Sequence, residues 1–234
     1  MAVGFGLSTW DRWLRRRRPH ELVWSVSLLL FAVGAGALWW SSARGWSPAS
    51  YRVFYLAGAI LNVPWLAAGT VYLLAGPVWG NRVRTCLLGL SGLATGVLLA
   101  APLRAPIAGT NQPEGKDVFG VWPRVLAAVG SGVSALVIIV GALWSAWRVL
   151  RGRTPSLGRN QRQVVLPKRL AIGNVIIAVG TLVLSASGTL AGRLGEDRAF
   201  AVTLLVGIVV LFVGFLVAST SGAPARSRRL AAAA

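Results

Sequence analysis

The sequence predicts an all-α, polytopic integral membrane protein with six transmembrane helices. The chain is 55% hydrophobic and only 13% charged, whereas an average soluble domain has about 25% charged residues. Several apolar runs also approach the ~20 residues that a helix needs to cross a bilayer. We therefore expect one membrane domain over residues 21–219, a cytoplasmic amphipathic segment over residues 1–20 and a basic cytoplasmic tail over residues 220–234.

Six apolar runs lie between clusters of polar, glycine and proline residues, which commonly end helices. The runs are Leu22–Trp40, Tyr51–Leu74, Thr85–Ala101, Val121–Trp147, Leu170–Ala191 and Ala199–Ala218. The fourth run is long enough to tilt in the membrane or to project beyond it.

The basic residues are distributed unequally between the two sides that these runs define. One side holds 17 of the 24 Lys and Arg residues, including the run Arg15–Arg18, and the other side holds the remaining 7. Basic residues are enriched in short cytoplasmic loops. The larger set therefore predicts cytoplasmic N- and C-termini and a location in the cell membrane. The Arg-rich, Lys-poor composition is typical of a high-GC bacterium, which indicates the bacterial inner membrane.

Tryptophan placement agrees with these spans. The predicted inner ends carry Trp24, Trp79, Trp144 and Trp147, and the outer ends carry Trp39, Trp40, Trp46 and Trp122. Aromatic belts of this kind are common at both membrane interfaces. Trp65 differs from the others because it falls near the middle of a predicted span.

A short interfacial helix is predicted by the stretch STWDRWLRRRR, with its N-cap at Ser8 or Thr9. Trp10, Trp13 and Leu14 recur at helical spacing, and arginines follow them. We expect this helix to lie on the anionic headgroups of the cytoplasmic leaflet. Docking to a protein is the alternative interpretation.

Two pairs of similar stretches indicate a 3+3 inverted-topology repeat. Residues 59–76 (AILNVPWLAAGTVYLLAG) resemble residues 171–188 (AIGNVIIAVGTLVLSASG), and residues 36–44 (GALWWSSAR) resemble residues 141–148 (GALWSAWR). The matches relate spans two and five, and spans one and four. Chance similarity in a chain dominated by Ala, Gly, Leu and Val is the alternative interpretation.

Ionisable groups suited to catalysis or proton transfer are missing from the predicted spans. All six Asp and Glu residues lie outside them, and no span contains histidine or lysine. This argues against a proton relay, a carboxylate-lined cation path and an intramembrane enzyme. With one cysteine and one histidine, an internal disulfide and a Cys/His metal cluster are excluded. We expect no enzymatic activity, no metal and no cofactor.

Uncharged polar residues of the second and fifth spans form the candidate cavity or kink. They are Asn62, Pro64, Trp65, Thr70, Asn174, Thr181 and Ser185. Asn62 lies about 16 Å into its span, near the middle of the membrane. Pro64 frees a carbonyl near Ile60, which predicts a kink. These side chains either join neighbouring helices or line a cavity that Trp65 walls or gates.

Two functions are consistent with this pattern. The first is a transporter or channel for a small neutral or anionic solute, through a cavity between the two halves. The alternative is a non-transporting accessory, assembly or lipid-binding subunit of a larger membrane complex. The repeat favours the first, and the small-residue packing motifs GSG (130–132) and GLATG (92–96) favour the second.

The expected partners are the lipid bilayer and its anionic cytoplasmic headgroups, together with further copies of the chain or other membrane subunits. Nucleic acid is not expected despite the net charge of +18, because the basic residues flank the apolar runs. The longest outer loop, residues 102–124, is predicted to be a solvated connector, and the alternatives are that it caps a cavity or contacts a partner.

Overall fold

The computed structural model describes residues 2–107, 109–151, 164–165, 167–194, 197–219 and 222–223, and these residues are mostly helical. The helices are α1 (Ala2–Arg16), α2 (Pro19–Arg44), α3 (Pro48–Phe54), a π-helix (Tyr55–Leu61), α4 (Asn62–Ala100), α5 (Gly115–Val118), α6 (Val121–Leu150), α7 (Pro167–Leu194) and α8 (Asp197–Ser219). Two-residue strands, β1 (Val164–Val165) and β2 (Gly222–Ala223), pair antiparallel.

Three helical stretches of the described chain are long and apolar enough to cross a membrane. They are Pro19–Arg44, Pro48–Ala100 and Val121–Arg148, and the described side chains of α7 and α8 include the further apolar stretches Ala171–Leu184 and Val202–Gly214. The helical fold is thereby confirmed, and these stretches are compatible with a membrane protein. The six spans, their orientation and the inverted repeat stay predictions.

Helix α1 begins earlier than the sequence predicts. It starts at Ala2, so neither Ser8 nor Thr9 is an N-cap, and that prediction was wrong. The Thr9 hydroxyl donates to the Gly6 carbonyl at 2.8 Å, within the same helix. A threonine that bonds back to its own helix is compatible with a helix interior, which explains why the residue does not mark the start.

Helix α4 reverses direction at Gly76. The φ of Gly76 is 83° and its ψ is 179°, far from helical values, and Pro77 follows. Across this turn, the Tyr72 hydroxyl donates to Asn81 Oδ1 at 2.7 Å. A Cβ on Gly80 would lie 2.2 Å from the Tyr72 ring, so glycine lets the two arms approach.

The far ends of the same hairpin also meet. Arg52 and Leu99 are 47 residues apart in sequence, a distance of about 70 Å along a straight helix. Yet Arg52 Nη1 donates to the Leu99 carbonyl at 2.8 Å, and Nη2 donates to the Ala101 carbonyl at 2.9 Å. Residues 48–75 and 77–100 are therefore two antiparallel arms.

These arms contain the second and third predicted runs, with one correction. The sequence placed the start of the third run at Thr85, but the helix resumes at Pro77. Proline is well tolerated in the first turn of a helix, so the second arm begins directly after Gly76.

Contacts divide the chain into two compact units, residues 1–138 with 191–197 and residues 139–190 with 198–234. In the first unit, α2 and both arms of the hairpin enclose a core that includes Val23, Ile60, Trp65, Leu87 and Ala94. The single domain over residues 21–219 stays a prediction.

In the second unit, glycines bring α7 and α8 close together. A Cβ on Gly180 would lie 2.7 Å from the Leu211 backbone nitrogen, and one on Gly214 would lie 2.8 Å from the Ile177 nitrogen. Close backbone approach at small residues is a common way in which helices associate in membranes.

Of the predicted tail, residues 220–221 and 224–234 lie outside the described residues.

Replacing Gly76 with alanine is expected to lower the free energy of unfolding by about 1–3 kcal/mol, because its backbone conformation is essentially restricted to glycine. Gly92→Ala is the matched control, since a Cβ there meets no atom within 4 Å. The thermal midpoints of both variants are measured by circular dichroism in one detergent. Equal midpoints would contradict the strained turn at Gly76.

Candidate functional site

The π-helix directly precedes the proline that the sequence singled out. At its end, the Asn62 N–H donates to the Ala57 carbonyl, five residues earlier. Pro64 has no N–H. It therefore cannot donate to the Ala59 carbonyl, its acceptor in a π-helix, or to the Ile60 carbonyl, its acceptor in an α-helix. A π-helix therefore precedes Pro64, and the predicted kink at the proline stays a prediction.

Helix α6 supplies a hydrogen-bond donor to one of the carbonyls that Pro64 cannot reach. The Ser131 hydroxyl donates to the Ala59 carbonyl. Gly130 lies beside it, where a Cβ would be 3.4 Å from the Ile60 carbonyl oxygen and 3.7 Å from Pro64 Cγ. Gly130 thus lets α6 approach closely enough for Ser131 to bond the backbone, which agrees with the packing interpretation of the GSG motif.

Helix α2 binds the same segment from another direction. The Ser27 hydroxyl lies 2.8 Å from Asn62 Oδ1 and 2.9 Å from the Asn62 carbonyl oxygen, so its proton is shared between two acceptors. Ser27 is buried. A Cβ on Gly34 of α2 would lie 3.1 Å from Gly58 of the π-helix, so glycines also bring these two helices together.

Trp65 is part of the packed core of the first unit. It is buried, and its Nε1 donates to Ser91 Oγ at 3.2 Å across the α4 hairpin. Ser91 in turn donates to the Leu87 carbonyl at 2.7 Å. This chain of bonds ties the two arms together. A role of Trp65 as the wall or gate of a cavity stays a prediction.

The remaining candidate residues are placed as follows. Thr70 is partly buried on α4. In the second unit, Asn174 Nδ2 donates to Ser145 Oγ at 2.8 Å, and the buried Thr181 donates to the Ile177 carbonyl at 2.9 Å. Ser185 belongs to α7, but its side chain lies outside the described residues.

The structure therefore brings three of the candidates, Asn62, Pro64 and Trp65, into one junction of helices. The sequence analysis missed the partners Ser27 and Ser91. Serine inside an apolar helix is the only local signal for them, and it does not indicate which helix the hydroxyl contacts.

A second cluster, composed of aromatic residues, lies where α3 and the outer loop meet. The Tyr51 ring stacks on Phe119 with centroids 5.4 Å apart, and Trp46 contacts Tyr51 edge-on at 5.5 Å. Trp46 and Phe119 are both buried. Trp46 is therefore not a lipid-facing belt residue, whereas Trp39 and Trp122 are 72% and 73% exposed.

The outer loop packs onto this cluster through the buried Val118 and Phe119, whereas most of its other described residues are exposed or half-buried, so its role as a solvated connector stays a prediction. The backbone N–H of Trp46 donates to the Gly109 carbonyl at 2.8 Å, and the Tyr51 hydroxyl donates to the Pro113 carbonyl at 2.9 Å. At the loop surface, the hydrogen bond from Lys116 to Glu114 raises the pKa of the lysine. Stacking of Phe119 on Tyr51 holds this part of the loop on the cluster, although the sequence of the loop is irregular.

Beside the cluster, a shallow groove of about 460 Å³ is lined by Pro48, Ala49, Arg52, Val53 and Leu99. Two guanidinium nitrogens of Arg52 donate to the Leu99 and Ala101 carbonyls. Cations are favourable at helix C-termini. The arginine thus closes the end of the hairpin, and the groove is mainly apolar.

Comparison with protein-family models, with curated proteins and with solved structures found no match to this chain. Within the described residues, no group of three or more His, Cys, Asp and Glu side chains could hold a metal ion.

Ser131→Ala is expected to lower the free energy of unfolding by roughly 1–2 kcal/mol, because it removes the donor to the Ala59 carbonyl. In a Pro64→Ala background the loss should be smaller, since residue 64 then supplies its own N–H. The four combinations form a double-mutant cycle, measured by denaturation with SDS in mixed micelles.

Ser42→Ala is the control for this cycle, because the exposed Ser42 hydroxyl bonds only to the Leu38 carbonyl of its own helix. Its stability should match that of the unmodified chain. Additive losses for Ser131→Ala and Pro64→Ala would mean that Ser131 does not compensate for the proline.

Proposed function

We propose that this chain is a multi-pass protein of the cell membrane that acts as a non-transporting subunit, a scaffold for lipids or for helices of a larger membrane complex. The observation that carries the proposal is that Asn62 and Asn174 hydrogen-bond to serines of neighbouring helices. Such bonds hold helices together in membranes. A solute pathway would need these groups to face a cavity.

The outer surface of α6 supports a membrane location. Val125, Val129, Val133 and Leu136 recur at helical spacing and are all exposed. Large continuous apolar patches are rare on soluble monomers, whereas lipid covers them without cost. On the second arm of α4, Gly92 and Gly96 also meet no atom within 4 Å, so this face is open to lipid or to another helix.

Arginine–tryptophan pairs support the proposed placement of helix ends at the two membrane interfaces. Arginine guanidinium groups lie over belt tryptophans in three pairs, Arg44 with Trp40 at 4.2 Å, Arg82 with Trp79 at 4.9 Å and Arg151 with Trp147 at 4.0 Å. Tryptophan and arginine are both favoured at the interface, where the ring contacts lipid and the charge reaches the headgroups.

Transport of a small neutral or anionic solute is the second candidate function, and the π-helix favours it. Irregular helical turns in membrane proteins are frequent at functional sites and in broken transporter helices. Here the irregular turn is bonded by Ser27 and Ser131. A solute would have to displace these hydroxyls to use the same backbone groups.

Liposomes containing the purified chain are expected to pass glycerol, urea and nitrate no faster than protein-free liposomes, measured by light scattering after rapid mixing. Asn62→Ala should leave these rates unchanged. A faster flux that falls in Asn62→Ala but not in Ser42→Ala would support transport and would contradict the scaffold proposal.

Labelling of intact bacterial cells with a membrane-impermeant maleimide tests the orientation. In a Cys86→Ser background, Asn111→Cys should react in intact cells because residue 111 is exposed on the proposed outer side. Arg82→Cys, also exposed, should react only after permeabilisation. The reverse pattern would show that the positive-inside assignment is wrong.

A further inference from the structure

The first two helices form a tight antiparallel hairpin. They are joined at Arg17, whose φ is 51°, and Arg18. A Cβ on Gly6 would lie 3.5 Å from Leu28 Cβ. Gly6 is ten residues before the end of α1 and Leu28 nine residues after the start of α2, so both lie about 15 Å from the turn. Helices that still touch at this distance are close to antiparallel.

The surface between the two helices resembles the contacts of membrane helices. Gly6 lies on this surface, and Thr9 of α1 and Ser25 of α2 are fully buried. The Thr9 hydroxyl bonds to the Gly6 carbonyl and the Ser25 hydroxyl to the Leu22 carbonyl, each at 2.8 Å and within its own helix. Hydroxyls bonded in this way need neither water nor a cross-helix partner, and small residues let backbones approach closely.

Charge is divided sharply along α1. Residues 2–10 contain no charged side chain, whereas residues 11–18 contain six. In this second half, Asp11 and Arg15 form an exposed ion pair at 2.9 Å, and the Arg17 guanidinium lies 5.2 Å from the Trp13 ring centre. The charged half is adjacent to the turn into α2, and the uncharged half lies alongside the interior of α2.

The outer face of α1 carries an apolar stripe of Val3, Leu7, Trp10 and Leu14, which are 52%, 57%, 38% and 45% exposed. The stripe continues onto α2, because Leu29 contacts the Gly6 position and is itself exposed. The same surface therefore runs from α1 onto a helix that is apolar and long enough to cross a membrane.

We propose that α1 is a re-entrant helix that enters the cytoplasmic leaflet beside α2, with acyl chains covering its apolar stripe. The proposal rests on the membrane location of the proposed function and on the cytoplasmic position of the turn between α1 and α2, and it places the first residues of α1 inside the leaflet instead of in the cytoplasm. Between Leu14 and Val3 the helix rises about 16 Å, roughly half of a ~30 Å hydrocarbon core. The charged half stays among the headgroups. This differs from a helix lying flat on the surface, in which all four stripe residues have equal depth.

Spin labelling measures this depth directly. In a Cys86→Ser background, single cysteines replace Val3, Leu7, Trp10 and Leu14, and each carries a nitroxide in liposomes of phosphatidylcholine and phosphatidylglycerol. Relaxation by oxygen, which concentrates in hydrocarbon, is compared with relaxation by a water-soluble nickel chelate. The ratio of oxygen to nickel accessibility should rise steadily from Leu14 to Val3, by at least several-fold.

Equal ratios at the four positions would show a flat interfacial helix and overturn the proposal, as would free access of nickel to Val3. Val33→Cys, at an exposed position of α2, tests the membrane location of α2 separately from the insertion of α1. If nickel reaches Val33 as well, the proposed membrane location of α2 fails. If Val33 is in hydrocarbon and Val3 in water, only the re-entrant proposal fails.

A pair of glycine variants tests whether packing on α2 holds α1 in the leaflet. A Cβ on Gly6 would already be in van der Waals contact with Leu28 and Leu29, so the larger leucine side chain is expected to push α1 away from α2, whereas a Cβ on Gly4 meets no atom within 4 Å. Gly6→Leu should lower the oxygen-to-nickel ratio at residue 3, and Gly4→Leu should leave it unchanged. An unchanged ratio in Gly6→Leu would contradict the proposed packing.

Discussion

The missing amide hydrogen of Pro64 is the constraint on which the centre of the first unit depends. A backbone carbonyl without a donor is costly in surroundings that exclude water. The chain meets this constraint with a π-helix that changes the register before the proline and with the Ser131 hydroxyl, which donates to the Ala59 carbonyl. Since the donor comes from α6, the same bond that satisfies the backbone also fixes the position of that helix.

Side-chain hydrogen bonds join helices at other points of the first unit as well. Arg52 donates to two carbonyls at the end of the second α4 arm. Ser27 bonds the segment that leaves the π-helix, and Trp65 bonds Ser91 across the hairpin. These interactions link elements distant in sequence. Side chains that could have lined a polar passage are therefore used to hold helices together, which is the physical basis of the scaffold proposal.

Glycine has two separate roles in this architecture. At Gly76 it permits a backbone conformation that other residues rarely adopt. At Gly34, Gly130 and Gly180 it removes a side chain where two backbones meet closely. The second role accounts for how a chain with few intramembrane polar groups associates its helices, since close backbone approach increases the van der Waals contact between them.

The sequence by itself determined the helical class, the apolar character and most helix boundaries, because these follow from local composition and periodicity. It also indicated Asn62, Pro64 and Trp65 as unusual, since an amide, a proline and a tryptophan rarely share the middle of an apolar run. Only the tertiary structure decided the partners of these residues. Ser131 and Ala59 are 72 residues apart, and no local pattern identifies which of several serines reaches a given carbonyl. Likewise, Trp46 resembles a belt tryptophan in sequence but is buried, because its exposure depends on the loop that folds over it.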